Sequence, residues 1–151
     1  AVGAASIDTM MAAGVPVGIG TDGMQADVRQ DMRVAFLLGH HRTTDPRTMW
    51  GELGQAMETN RRIASRLFGQ DLGQLSVGAA ADVVIYEAYP PTPFSADNFM
   101  GHFLFGLYGA QARHVAVAGK LRLRNGEVLG LDTAEAAARA RELSPSLWER
   151  F

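Results

Sequence analysis

The sequence predicts an α/β fold, and three observations support this prediction. Residues 6–14 have the pattern of a short helix, with Ser6 as its N-cap and Gly14 suited to the left-handed position after the last turn. Residues 15–20 form a short apolar run punctuated by glycine, which predicts a buried strand. After residue 70 the sequence becomes turn-rich and β-branched. A helix that leads directly into a strand is the connection expected of α/β architectures.

Two helices are predicted between the strand and the β-rich part. Residues 21–30 form a polar loop, and residues 31–41 follow as a helix with Met32 and Phe36 on its apolar face. Residues 48–68 predict a longer helix that ends at Gly69. The later apolar positions of this second helix are Met57, Ile63, Ala64, Leu67 and Phe68.

The β-rich part contains several short strands and a hairpin signal. Residues 81–86 are β-branched, and residues 114–118 and 120–124 alternate with period two. Asn125 and Gly126 both tolerate positive φ, so they predict a tight hairpin turn. A short helix is predicted over residues 97–105.

The chain closes with a predicted helix from Asp132, which has capping-box spacing with Glu135. Ser144 and Pro145 predict a kink or a restart of this helix, with Ser144 as the new cap. One buried strand cannot form a sheet alone, and the chain starts without Met. We therefore expect it to be a fragment of a longer protein.

Composition excludes several classes of function. The chain has 151 residues, of which 47% are hydrophobic and 20% are charged, as in ordinary globular domains. A net charge of −2 gives no basic footprint for nucleic acid or for a membrane surface. Cysteine is absent, so disulfides, thiolate nucleophiles and cysteine-type zinc sites are excluded. We expect a cytoplasmic protein.

Asp22 is the sharpest candidate for chemistry. It follows the predicted strand, at the end where α/β barrels place their catalytic groups. A carboxylate there can ligate a divalent cation and accept a proton from the water that the cation activates. Gly20 and Gly23 would let the backbone turn and leave room for a ligand, and Gly23 and Met24 are candidates to line a substrate pocket. From residues 18–24 alone, a structural Asp-Gly turn remains the favoured alternative.

The four histidines do not complete a metal site in the sequence. His40 and His41 are adjacent and are expected at a solvated helix end, His102 is expected to be packed or capping, and His114 is expected on a strand surface. There is no His-x-His pair and no His-Glu-x-x-His helix.

Three stretches taken together resemble the amidohydrolase superfamily: residues 11–23 followed by 31–35, residues 72–85, and residues 115–120 with Asn125 and Gly126. The first is similar to the final barrel strand and loop of metal-dependent deaminases of purine-like heterocycles. The second is similar to the return from the barrel to a small β-sandwich, and the third to the closing hairpin of that domain. Residues 90–106 and 140–151 are similar to the SsnA-type aminohydrolases.

The resemblance implies the C-terminal part of a (β/α)8 TIM-type barrel plus part of a small composite β-sandwich domain. Residues 1–71 would hold the last strand and helices of the barrel, and residues 72–131 part of the sandwich, with a helical insertion near 97–106. Residues 132–151 would form the C-terminal helix. Asp22 would be the metal-binding aspartate and would also move a proton, with the other ligands lying upstream of residue 1.

The implied activity is hydrolytic deamination of a purine-like or other nitrogen heterocycle at a cyclic amidine-type C–N bond. The implied cofactor is a divalent metal, with zinc favoured over iron. The implied partners are a small heterocyclic substrate, the missing N-terminal part of the same protein, and a second copy in a homo-oligomer, with no nucleic acid and no membrane. Two alternatives stay open: a dechlorinating or amine-releasing hydrolase of the same superfamily, and a non-catalytic scaffold. We expect this fragment alone to be inactive.

Overall fold

The computed structural model describes residues 3–23 and 26–151, and the chain divides into two compact units. The helical unit comprises the described residues within Ala1–Ala80 and Ala88–Ala110. The sheet unit comprises Ala81–Glu87 and Gln111–Phe151. The chain is therefore a mixture of helices and sheet, and the barrel part of the predicted α/β fold stays a prediction.

The helical unit begins with helix α1, Ile7–Ala12. Gly14 follows it with φ +80°, the left-handed conformation that the sequence predicts. Ser6 is the N-cap residue, as the sequence predicts, although its side chain forms no capping hydrogen bond. The start of the helix is closed by the backbone, since Met10 N donates to Ser6 O (3.0 Å).

The prediction of a buried strand over residues 15–20 was wrong for this chain. The segment has no strand partner among the described residues, and Val15 is 47% exposed. A β-strand forms by hydrogen bonding to the backbone of a neighbouring strand. In this segment, the backbone of Ile19 is hydrogen-bonded to a side chain instead. Asn60 Nδ2 donates to Ile19 O (2.7 Å), and Ile19 N donates to Asn60 Oδ1 (3.0 Å).

Helix α2, Val28–Thr43, begins earlier than predicted because Asp27 caps it, accepting a hydrogen bond from Arg29 N (3.1 Å). Helix α3, Trp50–Phe68, ends at Gly69, whose φ is +66° as the sequence predicts. Gly39 of α2 is buried against Met49, and a Cβ on this glycine would overlap the Met49 side chain. The missing side chain thus lets the two segments approach closely.

The core of the helical unit is formed by residues of α2 and of the start of α3, together with Leu104. Its buried apolar cluster consists of Met32, Phe36, Met49, Leu53 and Leu104. On α3 the buried residues are Leu53, Ala56 and Thr59, all from its first two thirds. Ile63, Leu67 and Phe68, which the sequence assigned to the apolar face, are 50%, 76% and 71% exposed.

Residues 97–105 were predicted to form a short helix. The structure forms α4, Phe99–Gly101, which continues directly into a π-helical turn, His102–Gly106. Wide turns of this kind are uncommon and recur near functional sites. The loop that follows is tied to α2, because Arg29 Nη1 donates to Leu107 O (2.7 Å) and both Nη atoms donate to Ala110 O.

The sheet unit contains four strands: β1, Val83–Tyr86; β2, Ala112–Val117; β3, Lys120–Arg124; and β4, Glu127–Val128. They form an antiparallel sheet in the order β1-β2-β3-β4. Two tight turns with positive φ at both central residues connect β2 to β3 and β3 to β4: Ala118–Gly119 and Asn125–Gly126. The second is the hairpin that the sequence predicts.

Helix α5, Thr133–Trp148, completes the sheet unit. Asp132 Oδ1 accepts from Ala134 N and Glu135 N, as the capping pattern predicts. The predicted restart at Pro145 was wrong, because the helix runs through it. Pro145 has no N–H for the Arg141 carbonyl, but Ser144 Oγ donates to that oxygen instead (3.1 Å). Among the residues described, no helix is long and apolar enough to cross a membrane.

Candidate functional site

Asp22 lies in an exposed turn at the end of the extended segment. Its φ is +51°, in the left-handed region that few non-glycine residues adopt and that aspartate and asparagine tolerate best. Gly23 N donates to Asp22 Oδ1 (2.8 Å), so the carboxylate is oriented by the turn itself. This geometry satisfies the structural Asp-Gly interpretation and also presents a carboxylate to solvent.

Gly20 and Gly23 were expected to let the backbone turn beside Asp22, and the structure does not use them in this way. The left-handed residue of the turn is Asp22, whereas Gly20 and Gly23 do not have positive φ. A Cβ at either glycine would meet no atom of the described residues within 4 Å. The expected room for a ligand is therefore present at both positions, although the glycines are not required by the turn. Met24, the other predicted pocket residue, lies outside the described residues.

His40 is not at a solvated helix end, which corrects the prediction. It is half-buried, its Nε2 lies 2.9 Å from Thr48 O, and its ring centroid lies 4.0 Å from that of Phe36. The ring of Trp50 packs edge-on against Phe36 at 4.6 Å. Burial of Phe36 in the core draws His40, one turn further along α2, into the same aromatic cluster.

The other histidines also have structural surroundings. His41 is exposed on α2, as predicted, while His114 is half-buried within β2 rather than on its surface. His102 is packed, as predicted: its Nε2 lies 3.1 Å from Thr92 Oγ1, and its ring lies 5.3 Å from that of Phe94. His102 lines a cavity of about 340 Å³ together with Asn98 and Phe105.

Within the described residues, no three His, Cys, Asp or Glu side chains come together in a way that could hold a metal ion. A tight zinc site needs at least three protein ligands. Asp22 fits the role of one oxygen ligand, since its carboxylate is exposed at the tip of a turn with open space beside it. The described part of the chain thus contains no complete set of metal ligands.

Two open clefts flank the extended segment that leads to Asp22. One, of about 670 Å³, lies against α1 and α3 and is lined by Val15, Val17 and Thr59 among others. The other, of about 400 Å³, lies against α1 and α2 and is lined by Val17 and Ile19 among others. Val17 lines both clefts, so both sides of the segment are open to another element.

An ion pair fixes the start of α2, just beyond the Asp22 turn. Arg29 is bidentate with Asp27, with Nη2 at 2.8 Å from Oδ2, and its side chain is only 12% exposed. The Arg29 guanidinium holds the pKa of the Asp27 carboxyl below its usual value of 3.8. Asp27 therefore stays ionised and keeps Arg29 aimed at the carbonyls of Leu107 and Ala110.

Sequence reasoning missed Asn60 and Arg29. In the sequence, Asn60 is one residue of a predicted helix. Asparagine is unfavourable in the middle of a helix, so its presence there is a signal for a role outside the helix. Arg29 was assigned to a polar loop. The partners of both residues lie far along the chain, at Ile19 and at Leu107 and Ala110, so no local pattern could reveal them.

Known proteins are similar to this chain over nearly its whole length, although no family model matches it. It is 30% identical over 154 aligned residues to a 5-methylthioadenosine/S-adenosylhomocysteine deaminase of Haloarcula marismortui, a match that covers 99% of this chain and 35% of that protein. The chain therefore spans about a third of the length of the curated relatives it matches.

Two solved structures are similar to this chain in fold. An adenosine deaminase from Xanthomonas campestris with bound zinc matches 93% of this chain and 33% of its own, with a TM-score of 0.70 and 24% identity. A triazine hydrolase variant matches 93% of this chain and 32% of its own, with a TM-score of 0.68 and 25% identity. Deaminases and hydrolases with this fold thus match nearly the whole chain. This similarity agrees with the resemblance of the chain's motifs to the amidohydrolase superfamily.

Proposed function

We propose that this chain forms part of a metal-dependent hydrolase that removes ammonia from an adenosine-like nucleoside or a related nitrogen heterocycle. The observation that carries the proposal is the match to a 5-methylthioadenosine/S-adenosylhomocysteine deaminase over 99% of the chain. The protein with the similar fold from Xanthomonas campestris is also a deaminase, and it binds zinc. The reaction joins the oxygen of water to a ring carbon and breaks the exocyclic C–N bond at that carbon.

The metal proposed is zinc, with iron as the alternative. When bound, such an ion supplies Lewis-acid activation of water and substrate. Asp22 would contribute one carboxylate oxygen to the ion, because it is exposed at the end of the extended segment and is oriented by Gly23 N. Gly23 and Met24 would lie at the edge of the substrate pocket.

Asp22 would also move the proton that the reaction requires. The attacking water loses a proton and the departing nitrogen must gain one. A carboxylate beside both atoms can accept the first and donate it to the second. The left-handed backbone at Asp22 supports such a role, since uncommon conformations of this kind cluster at functional sites.

The site would be completed by residues outside this chain. Asp22 alone cannot hold an ion, and both sides of the segment that carries it are open clefts that strands of a (β/α)8 barrel would fill. In the proposed architecture, residues 1–71 belong to that barrel, residues 72–131 to a small β-sandwich, and residues 132–151 to a terminal helix. The chain by itself would then be inactive.

The test is ammonia release by the full-length protein with Asp22→Asn, using 5-methylthioadenosine, S-adenosylhomocysteine and adenosine as substrates. Asparagine tolerates the left-handed backbone and keeps an oxygen for Gly23 N, so the fold should persist. Loss of the proton relay should lower kcat by about 10²- to 10⁴-fold. Asp97→Asn, at an exposed aspartate of the same unit, is the matched control and should leave kcat unchanged. Wild-type rates in Asp22→Asn would refute the proposed role.

A second candidate is a hydrolase that releases chloride or an alkylamine from a ring. The observation in its favour is the similarity of the fold to a triazine hydrolase variant, with a TM-score of 0.68. Assay of one substrate panel for ammonia, chloride and alkylamine separates the two activities. A third candidate, a scaffold without catalysis, predicts a full-length protein that purifies without stoichiometric metal.

A further inference from the structure

The carboxamide of Asn60 grips the backbone of Ile19 at both of its polar groups. Its Nδ2 donates to Ile19 O (2.7 Å), and its Oδ1 accepts from Ile19 N (3.0 Å). A neighbouring peptide in a sheet pairs with a residue in the same two-bond manner. Asn60 thus acts as the only described strand-like partner of the extended segment.

The helix that carries Asn60 is well anchored. Leu53 and Ala56 of α3 are fully buried, and Thr59, the residue before Asn60, is 5% exposed. The carboxamide therefore projects from a packed part of the helix. The segment it grips is otherwise open on both sides, with a cleft against α1 and α3 and another against α1 and α2.

Gly18 shows how closely the two elements approach. A Cβ on Gly18 would overlap Asn60 Oδ1, while its next neighbours, Asn60 Cγ and Ile63 Cδ1, lie at 3.6 and 3.8 Å. Gly18 does not have positive φ, so the backbone conformation does not require glycine. An alanine at this position would therefore have to displace the carboxamide.

We propose that Asn60 is a positioning residue for Asp22, a role that rests on the function proposed above. The two hydrogen bonds to Ile19 fix the position and the rotation of the extended segment that ends in the Asp22 turn. The carboxylate is thereby held where its metal and substrate partners meet. Asn60 itself touches neither metal nor substrate.

The first test compares Asn60→Ala with wild type in the full-length, zinc-free protein by hydrogen exchange at the Ile19 amide. Loss of the grip should speed this exchange by about 2- to 10-fold, the equivalent of the net contribution of one hydrogen bond. Arg66→Ala removes an exposed side chain from the same helix, away from both clefts, and should leave the exchange unchanged. Equal exchange in wild type and Asn60→Ala would overturn the proposal.

The second test measures the effect on Asp22. Zinc affinity of Asn60→Ala should fall by about tenfold or more, within the range seen when a residue that orients a metal ligand is removed. In the loaded enzyme, kcat should fall while KM changes little, because the lost geometry concerns proton transfer. Faster exchange at Ile19 with unchanged zinc affinity and unchanged kcat would reduce Asn60 to a structural residue and overturn the proposal.

A double-mutant cycle with Gly18→Ala checks the contact itself. Gly18→Ala should reproduce the loss of zinc affinity, because the new methyl group displaces the carboxamide. In the Asn60→Ala background the same substitution should add nothing, since the overlapping oxygen is gone. Additive losses would overturn the proposal.

The two proposals fail in different ways. Wild-type protein that binds no zinc and releases no ammonia would overturn the proposed function, and with it the role of Asn60. Wild-type protein that binds zinc, with Asn60→Ala that binds it equally well, would overturn the role of Asn60 alone.

Discussion

In the helical unit, Leu53 and Leu104 are fully buried, whereas in the sheet unit Val84 and Ile85 remain 44% and 54% exposed. No residue of the sheet unit, all of which the structure describes, is buried. The helical unit packs the apolar stripes of its helices against one another. The sheet unit instead owes its shape to ladder hydrogen bonds and tight turns, which form without a covered face.

This difference shows which parts of the chain are self-sufficient. A sheet with an apolar face needs another layer to bury it, and the described residues of the sheet unit do not supply one. The helical unit has its own core but leaves the segment before Asp22 open on both sides. Both observations agree with a chain that spans about a third of the length of its relatives.

The largest effect is expected for Leu53→Ala in the 151-residue chain. Leu53 is fully buried in the core cluster that also contains Met32 and Phe36, so its truncation should lower the free energy of unfolding by about 2–5 kcal/mol. Urea unfolding followed by circular dichroism measures it. A loss below about 1 kcal/mol, typical of a surface site, would show that the helical unit has no rigid core.

Arg29→Ala should have the next largest effect. The side chain is 12% exposed, and its removal takes the guanidinium from the Asp27 carboxylate and from the carbonyls of Leu107 and Ala110. Asp27 then keeps only the weaker cap on the backbone N–H of residue 29. We expect a loss of about 1–3 kcal/mol in the same assay. Arg47→Ala is the control, because Arg47 pairs with Asp45 at an 88% exposed side chain and should give no measurable change. Equal losses in the two variants would contradict the account.

The same ion pair predicts a dependence on pH. Arg29 lowers the pKa of the Asp27 carboxyl below 3.8. The ion pair therefore stabilises the folded state fully above pH 3.8, and this stabilisation is lost as the pH falls through the lowered pKa. Acid unfolding of Arg29→Ala should lack this part of the pH dependence, which parallel titrations of the two proteins measure. Identical curves below pH 3.8 would show that the pair does not stabilise the fold.

In the sheet unit, Gly126→Ala should cost about 1 kcal/mol, because Gly126 has φ +83° and alanine is strained there. A Cβ at Gly126 meets no atom within 4 Å, so the effect comes from the backbone alone. Hydrogen exchange of the β3 and β4 amides localises the loss. Unchanged protection would mean that the turn does not limit the stability of the hairpin.

The smallest effect is expected for Ile85→Thr in the isolated chain, within about 0.5 kcal/mol, since the side chain is 54% exposed. In the full-length protein, where we propose that a further layer covers the sheet, the same substitution should cost more. Leu53→Ala should cost the same in both proteins. Equal costs for Ile85→Thr in the two proteins would show that the sheet stays uncovered.

Local signals predicted much of this fold. Gly14 and Gly69 end their helices with positive φ, Asp132 caps the last helix, and Asn125 and Gly126 form the hairpin turn. Each is determined within a few residues of its own position. The errors came where distant residues decide. Residues 15–20 have no strand partner in the described part of the chain, and His40 joins an aromatic cluster formed with Phe36 and Trp50.

The candidate site was predictable only in part, for the same reason. Asp22 was found because its neighbours in sequence mark the end of an apolar segment. The residue that grips that segment, Asn60, is brought to it only by the packing of α3. The role of Asp22 as a metal ligand remains a prediction.

Zinc binding to the full-length protein, wild type against Asp22→Asn, tests the central claim most directly. Isothermal titration of metal-stripped protein gives the stoichiometry and affinity, and the Asp97→Asn variant controls for loss of an exposed carboxylate. We predict stoichiometric zinc in wild type and in Asp97→Asn, with zinc affinity sharply reduced in Asp22→Asn. Equal affinity and stoichiometry in all three proteins would contradict the assignment of Asp22 as a metal ligand.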